Sequence, residues 1–164
     1  MNFAVKEEPM KEQMLHEELI QLDMEAKDQN DFFEKMSAKL QKLGYVEDTF
    51  LEAIKLRESK YPTALPTEPH AIAIPHADPV NIKKQFIAFT RLKNPVKWCE
   101  MATNDSWHDV KLIFMLGFKR DEGHIEVLQI LLDSFQDPKL MDKLINAKSN
   151  EEMMTILSSI KGLN

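Results

Sequence analysis

The stretch Val110-Lys111-Leu112-Ile113-Phe114-Met115-Leu116-Gly117-Phe118 decides the fold class. Residues 112–116 are apolar without interruption, so both faces of this segment are hydrophobic. A strand with one face in water alternates apolar and polar residues, whereas an uninterrupted apolar strand is typical of the middle of a sheet. A second strand candidate, Phe86 to Leu92, comes before it. The sequence therefore predicts a sheet with residues 110–118 near its centre.

Helical patterns precede these strands. Asp28 or Asn30 can cap a helix that ends at Gly44, where a residue of left-handed conformation is favoured. The predicted inner face of this helix consists of Phe32, Phe33, Met36, Leu40 and Leu43. Asp48 is the predicted start of a second helix, which carries Arg57 near its end. A short strand is predicted between Glu18 and Met24.

Helical patterns also follow the strands. Asp121-Glu122-Gly123 leads into an apolar segment that ends at Phe135, and Asp137-Pro138 is typical of a helix start. Ser149 and Glu152 form a capping-box pattern before the last apolar segment. We therefore predict an α/β fold: a single domain with a mixed central β-sheet sandwiched between helices.

Length and composition restrict the class of protein. A chain of 164 residues is the size of one domain, which we place at residues 14–164 after a loose N-terminal lead-in at 1–13. No apolar segment is long enough for a signal peptide or a membrane span, and Cys99 is the only cysteine, so we expect a cytoplasmic protein without membrane insertion. The net charge of −6, without a basic run, argues against nucleic acid as a partner.

The segment Ile72-Ala73-Ile74-Pro75-His76-Ala77-Asp78-Pro79 contains the first candidate for chemistry. The prolines of the region make helix unfavourable from Tyr61 to Pro79, and Ala71–Ile74 has strand character. Pro75 lacks an N–H group, so we expect the strand ladder to stop there and to leave His76 at the strand end. A neutral imidazole is nucleophilic at physiological pH and forms a labile bond to phosphorus. The alternative is a partly buried histidine that only closes the strand.

Two further residues are candidates for the same site. His124 falls in the first turn of the helix that follows Gly123, where the helix dipole and N–H groups favour an anion. Arg57 can hold phosphate through its planar guanidinium group. The ordinary alternatives are a surface histidine at a helix start, and a helix-end arginine that pairs with a carboxylate.

A metal site is the third interpretation of the histidines. His70, His76 and Asp78 lie close together in sequence, but their spacing matches no standard ligand pattern. We therefore expect no metal. The nucleotide-binding patterns GxxxxGK[ST] and GxGxxG are also missing from the sequence. His108 is expected in a loop before the buried strand.

Several of these segments together resemble a known protein family. The order Arg57-Glu58, Pro62-Thr63, Ile72-Ala73-Ile74-Pro75-His76 and then Gly123-His124-Ile125-Glu126-Val127-Leu128 is similar to the fructose/mannitol-type enzyme IIA domains of sugar phosphotransferase systems. The resemblance extends from about Leu15 to Ile160. It implies that His76 is the phosphorylated nucleophile, that His124 stabilises the phosphoryl group, and that Arg57 supplies positive charge near the site.

The resemblance also implies partners. The phosphoryl donor would be the phosphocarrier protein HPr, and the acceptor a cysteine of enzyme IIB, which serves the membrane component IIC. No cofactor is implied. Tyr61 to Thr67 and Pro75 to Pro79 are most similar to the galactitol-type branch, although Ala64 stands where that branch is expected to have glycine.

Two other functions stay open from the sequence. One is a regulatory module of the same fold, in which phosphorylation of His76 controls the binding of a partner. The other is a metal-dependent hydrolase, which would need bound zinc or manganese.

Overall fold

The computed structural model describes residues 13–120 and 124–163, and it confirms the predicted α/β class. The elements of these two ranges are β1 (Gln21–Met24), α1 (Gln29–Lys42), α2 (Phe50–Lys60), β2 (Ala64–Leu65), β3 (Ala71–Ala73), β4 (Phe86–Cys99), β5 (Trp107–Gly117), α3 (His124–Ser134), α4 (Pro138–Asn146) and α5 (Asn150–Ser158). Short 3-10 helices lie at Glu17–Leu19 and Pro79–Asn81.

The described strands form one mixed sheet in the order β1-β4-β5-β3-β2. The long antiparallel pair β4–β5 is its centre. β1 joins β4 and β3 joins β5 in parallel, while β2 closes the far edge antiparallel to β3. The apolar segment 112–116 of β5 therefore lies in the middle of the sheet, as predicted.

Each face of the sheet is covered by helices. Leu112, Phe114 and Leu116 of β5 belong to the core that includes residues of α3, α4 and α5. Ile113 and Met115 belong to the opposite core, which α1 and α2 cover. Burial on both faces explains why the strand needs apolar residues at every position.

Most of the predicted helix boundaries are confirmed. Asp28 caps α1 by accepting a hydrogen bond from the N–H of Asp31 (2.8 Å), and Gly44 follows the helix with φ of 84°. Asp137 and Ser149 cap α4 and α5 in the same way. Two of the helix predictions were wrong. Thr49 rather than Asp48 precedes α2, and Leu43 is exposed because it lies in the turn after α1.

The strand boundaries needed more correction. Of the predicted strand Glu18–Met24, only Gln21–Met24 pairs as a strand, since Glu17–Leu19 forms a 3-10 turn. β4 continues past the predicted Leu92 because a change of register between Arg91 and Val96 accommodates Pro95. β5 begins at Trp107, so His108 lies in a strand rather than in a loop, opposite Trp98. The two-residue β2 was not predicted.

The predicted N-terminal lead-in comprises residues 1–13. Its residues 1–12 lie outside the described ranges, so the division at residue 13 stays a prediction. Among the described residues, no helix has the length and apolar character needed to cross a membrane.

Candidate active site

His76 lies three residues after the end of β3, beside the central strand β5. β3 ends at Ala73, but the carbonyl of Pro75 accepts a hydrogen bond from the N–H of Leu116 (3.0 Å). His76 then forms a parallel bridge with Leu116. The regular ladder ends at Ala73, before Pro75 as expected, but pairing resumes in an isolated bridge because proline lacks the donor and keeps the acceptor. This pairing fixes the backbone of His76 against the central strand β5.

The ring of His76 is buried and has a defined hydrogen bond. Only 8% of the residue is exposed, and Nδ1 lies 2.9 Å from the carbonyl oxygen of Ile74. A carbonyl oxygen can only accept, so Nδ1 carries the proton and Nε2 has the lone pair. Within the described parts of the chain, Nε2 has no hydrogen-bond partner.

Burial lowers the pKa of His76 to about 4. The charge of Arg57 and the electrostatic effect of His124 lower it further, whereas the hydrogen bond to Ile74 and the carboxylate of Asp78 act in the opposite direction. His76 is consequently neutral at physiological pH, which is the state in which imidazole is nucleophilic.

His124 is brought directly to His76. It is the first residue of α3, in agreement with the prediction, and its ring meets that of His76 edge to face at a centroid distance of 5.1 Å. The other side of the His124 ring stacks on Phe118 (4.4 Å, 18° between planes). Asp121-Glu122-Gly123, the predicted lead into this helix, lies outside the described residues. A helix N-terminus next to the nucleophile favours an anion there.

Arg57 lies in the last turn of α2, close enough to affect the pKa of His76. Its Nη1 is 3.5 Å from Oδ1 of Asp78, and its guanidinium group lies over the ring of Tyr61 at 5.5 Å. Arg57 is thus both a helix-end arginine paired with a carboxylate and a charge beside the candidate nucleophile. The two interpretations from sequence are compatible.

Glu58 is a site residue whose role the sequence reasoning missed. It is buried, and its carboxylate accepts hydrogen bonds from the N–H and the hydroxyl of Thr63 (2.9 Å each) and from Nε1 of Trp98. Burial raises the pKa of Glu58 to about 7, against the effect of these donors and of Arg57. The carbonyl of Thr63 in turn accepts from the N–H of Ile74 (3.3 Å). Glu58 therefore anchors the loop that supports the peptide holding His76.

The signal for Glu58 was present in the sequence. Glu58 follows the apolar residue Ile54 by four positions, so both lie on the buried face of α2. No such signal identified Phe118 as the support of His124, because that contact depends on how β5 lies relative to α3. Asp78 was considered only as a metal ligand, whereas it lies beside Arg57. Among residues 13–120 and 124–163, no three His, Cys, Asp or Glu side chains are grouped to hold a metal ion.

This arrangement suits transfer of an anionic group. A neutral imidazole is held in one tautomer, with a guanidinium group, a second imidazole and a helix N-terminus around it. Phosphoryl transfer needs an aligned nucleophile and positive charge or donors around the phosphoryl oxygens, and it requires little other covalent chemistry from the protein.

Comparison with known proteins agrees with this chemistry. Residues 13–160 match the family model "Phosphoenolpyruvate-dependent sugar phosphotransferase system, EIIA 2". The chain is 32% identical over 102 residues to the galactitol-specific EIIA component of Escherichia coli K12, an alignment that covers 62% of this chain and 67% of the relative.

Solved structures show the same fold. The nitrogen regulatory protein IIA-Ntr of Neisseria meningitidis is 29% identical, with a TM-score of 0.71 and coverage of 87% of this chain and 95% of the other. The complex of enzyme IIAMtl and phosphorylated enzyme IIBMtl from Escherichia coli matches with 24% identity and a TM-score of 0.70, over 86% of this chain and 94% of that one. The chain belongs to the EIIA type-2 family of the phosphoenolpyruvate-dependent sugar phosphotransferase system, whose members are phosphotransferases with a phosphohistidine intermediate.

Proposed function

We propose that this chain is a cytoplasmic EIIA component that accepts a phosphoryl group from phospho-HPr on Nε2 of His76. It then passes the group to a cysteine of enzyme IIB, for uptake of a sugar or sugar alcohol through component IIC. The observation that carries the proposal is the geometry of His76, which is neutral, fixed through Nδ1 on the carbonyl of Ile74 and placed edge to face with His124.

The proton position determines which nitrogen reacts. Nδ1 of His76 keeps its proton and donates it in a hydrogen bond to the carbonyl oxygen of Ile74. The lone pair of Nε2 therefore attacks phosphorus in line. The Nε2–P bond forms as the bond between phosphorus and the donor histidine breaks. The electron pair of that bond stays on the donor ring, whose other nitrogen carries a proton, so that a neutral imidazole leaves. One phosphohistidine replaces another, so charge and proton count are equal on both sides. Because the same type of P–N bond is broken and formed, the charges around each histidine influence where the equilibrium lies.

The neighbours of His76 have separate proposed roles. Arg57 compensates the negative charge of the phosphoryl oxygens, and His124 with the first turn of α3 stabilises them by hydrogen bonding. Glu58 is a positioning residue, since its hydrogen bonds with described residues lead to His76 through Thr63 and Ile74. No metal or organic cofactor is needed for these steps.

Galactitol is the proposed sugar alcohol. The relative from Escherichia coli K12 that is named for this specificity is 32% identical. Its alignment spans 102 residues, which is less than the family match, so support for the sugar is narrower than support for the chemistry.

A regulatory role is the second candidate. The relative from Neisseria meningitidis is named as a nitrogen regulatory protein and matches over 87% of this chain with 29% identity. In this alternative, phosphorylation of His76 changes the affinity for a partner protein. The two roles differ in whether the phosphoryl group leaves for enzyme IIB.

The experiment measures transfer from labelled phosphoenolpyruvate through purified enzyme I and HPr. We expect acid-labile label on the wild-type chain and on His70→Ala, and none on His76→Ala. His70→Ala is the matched control because it removes a histidine from the same segment. Unlabelled wild type beside an active control EIIA would refute the phosphocarrier function.

A second stage separates transport from regulation. Purified IIB components for galactitol, mannitol and fructose are added to the labelled chain. Faster transfer of the label to the galactitol IIB than to the mannitol or fructose IIB supports galactitol as the sugar alcohol. A stable label with all three acceptors would contradict transport and favour the regulatory role.

A further inference from the structure

Asp78 is an acidic residue beside a site that must hold an anion. Asp78 follows His76 by two residues, and its carboxylate oxygen Oδ1 lies 3.5 Å from Nη1 of Arg57. The side chain of Asp78 is 75% exposed and that of Arg57 is 34% exposed, so solvent and salt screen the pair. A carboxylate in this place would repel a phosphoryl group on His76, and its presence therefore requires an explanation.

The turn does not explain the carboxylate. Asp78 precedes the 3-10 helix Pro79–Asn81, but its side chain makes no capping hydrogen bond there. The bonds that hold this turn go to its backbone carbonyl, which accepts from the N–H and from Nδ2 of Asn81 (3.1 Å each). Asparagine at position 78 would keep both bonds. The carboxylate is consequently available for a role in the site.

Arg57 has donor capacity that the dephosphorylated site leaves unused. Its Nε is buried and has no hydrogen-bond partner among the described residues, while Nη1 faces Asp78 at a distance typical of a loose ion pair. The face of the guanidinium group is covered by Tyr61. The buried carboxylate of Glu58 also feels the charge of Arg57, but its three donors come from Thr63 and Trp98. The only ionic contact of Arg57 within the described ranges is therefore Asp78.

Both charges are within electrostatic reach of His76. Arg57 disfavours a proton on the ring, and Asp78 favours it. The same signs apply in reverse to a phosphoryl dianion on Nε2, which Arg57 attracts and Asp78 repels. A new dianion next to Arg57 competes directly with the single charge of Asp78.

We propose that Asp78 is an exchangeable counter-ion, which pairs with Arg57 in the dephosphorylated protein and yields Arg57 to the phosphoryl group when His76 is charged. Giving up this pair costs free energy, so Asp78 makes the phosphohistidine less stable and favours its onward transfer. Asp78 is a positioning residue that acts through Arg57. This inference deepens the proposed function and rests on it.

The first test measures the ratio of phosphorylated chain to phosphorylated HPr at equilibrium. Exposed ion pairs contribute little, so Asp78→Asn should raise this ratio by about two- to fivefold at low salt. The increase should shrink as ionic strength rises, because the pair is exposed. An unchanged or lower ratio for Asp78→Asn would overturn the inference.

The matched control is Asp109→Asn. Asp109 pairs with Lys97 at 2.8 Å, and both side chains are more than half exposed. It lies seven positions before Leu116 on β5, roughly 20 Å from the site and beyond the screening length. Asp109→Asn changes the net charge equally and should leave the ratio unchanged. An equal rise in both variants would mean that net charge, and not the pair, is responsible.

A double-mutant cycle tests the route through Arg57. In an Arg57→Ala background, Asp78→Asn should lose most of its effect on the ratio, because there is no guanidinium group left to release. If Asp78→Asn had the same effect with and without Arg57, the carboxylate would act by direct repulsion, and the exchange would be wrong.

Inorganic phosphate gives a readout that does not need HPr. Titration of phosphate into the dephosphorylated chain, followed by amide chemical shifts near His76, should show about two- to fivefold tighter binding for Asp78→Asn than for wild type or Asp109→Asn. Equal binding by all three would contradict the inference. If phospho-HPr fails to label the wild type, the proposed function fails, and this titration still decides the role of Asp78.

Discussion

At the scale of single residues, the chemistry depends on which nitrogen of His76 keeps its proton. The peptide after β3 offers the ring a carbonyl acceptor at 2.9 Å, and burial removes the water that would stabilise a charged ring. The two effects give one neutral tautomer with a reactive Nε2. A histidine exposed on a loop would have neither property.

The low pKa of His76 is directly testable. In a histidine NMR titration, the ring of His76 should protonate near pH 4 rather than near the ordinary value of 6.5. Arg57→Gln should raise this pKa and Asp78→Asn should lower it, because each removes the charge that acts in the opposite direction. Asp109→Asn should leave it in place. A midpoint of 6 or above in the wild type would show that the ring is not buried as described.

The same shift fixes the sign of a stability effect. The unfolded chain binds a proton on this residue near pH 6.5, and the folded chain binds it only near pH 4. Between these values the unfolded state holds more protons, so this residue makes the free energy of unfolding fall as the pH falls, by on the order of 3 kcal/mol at most. Denaturation at pH 7 and pH 4.5 should show a smaller loss for His76→Gln than for wild type.

At the scale of elements, the site depends on the register of β5. The N–H of Leu116 donates to the carbonyl of Pro75, and Leu116 pairs with His76. The next residue of the strand, Gly117, pairs with Phe86 of β4. A Cβ atom at Gly117 would lie 2.2 Å from the ring of Phe86, which is fully buried. Glycine is therefore required here by the aromatic ring across the sheet.

Gly117→Ala should consequently destabilise the protein. Overpacking in a filled core costs about 1–3 kcal/mol, and chemical denaturation should show a loss of that size. Phe86→Leu also destabilises, but in the double variant the losses should be less than additive, since leucine leaves space for the new methyl group. Strictly additive losses would mean that Phe86 and Gly117 do not share the space.

The elements also show what the sequence can and cannot predict. The apolar run at 112–116 and the capping residues Asp28 and Ser149 led to the correct class and helix boundaries because each is a local signal. The continued pairing at Pro75 was missed because it depends on the partner strand. Pro95 within β4 was missed because a shift of register, which a sequence does not display, accommodates it.

At the scale of the whole molecule, the sheet brings together residues that are far apart in the chain. Arg57 comes from α2 on one face, His124 from α3 on the other, and His76 from the segment that follows β3 at the sheet between them. The sequence indicated all three as candidates, and the resemblance to enzyme IIA domains implied a role for each of them. Glu58 and Phe118 gained their roles only from the packing that connects these layers.

The most direct test of the central claim is the position of the phosphoryl group on the charged protein. Phosphorus and nitrogen NMR of the chain, labelled from phospho-HPr, reports the residue and the ring nitrogen. Because Nδ1 of His76 stays on the carbonyl of Ile74, we predict a single phosphohistidine at Nε2 of His76 and no signal from His76→Ala. Phosphorylation at Nδ1, or on another residue such as His124, would contradict the account.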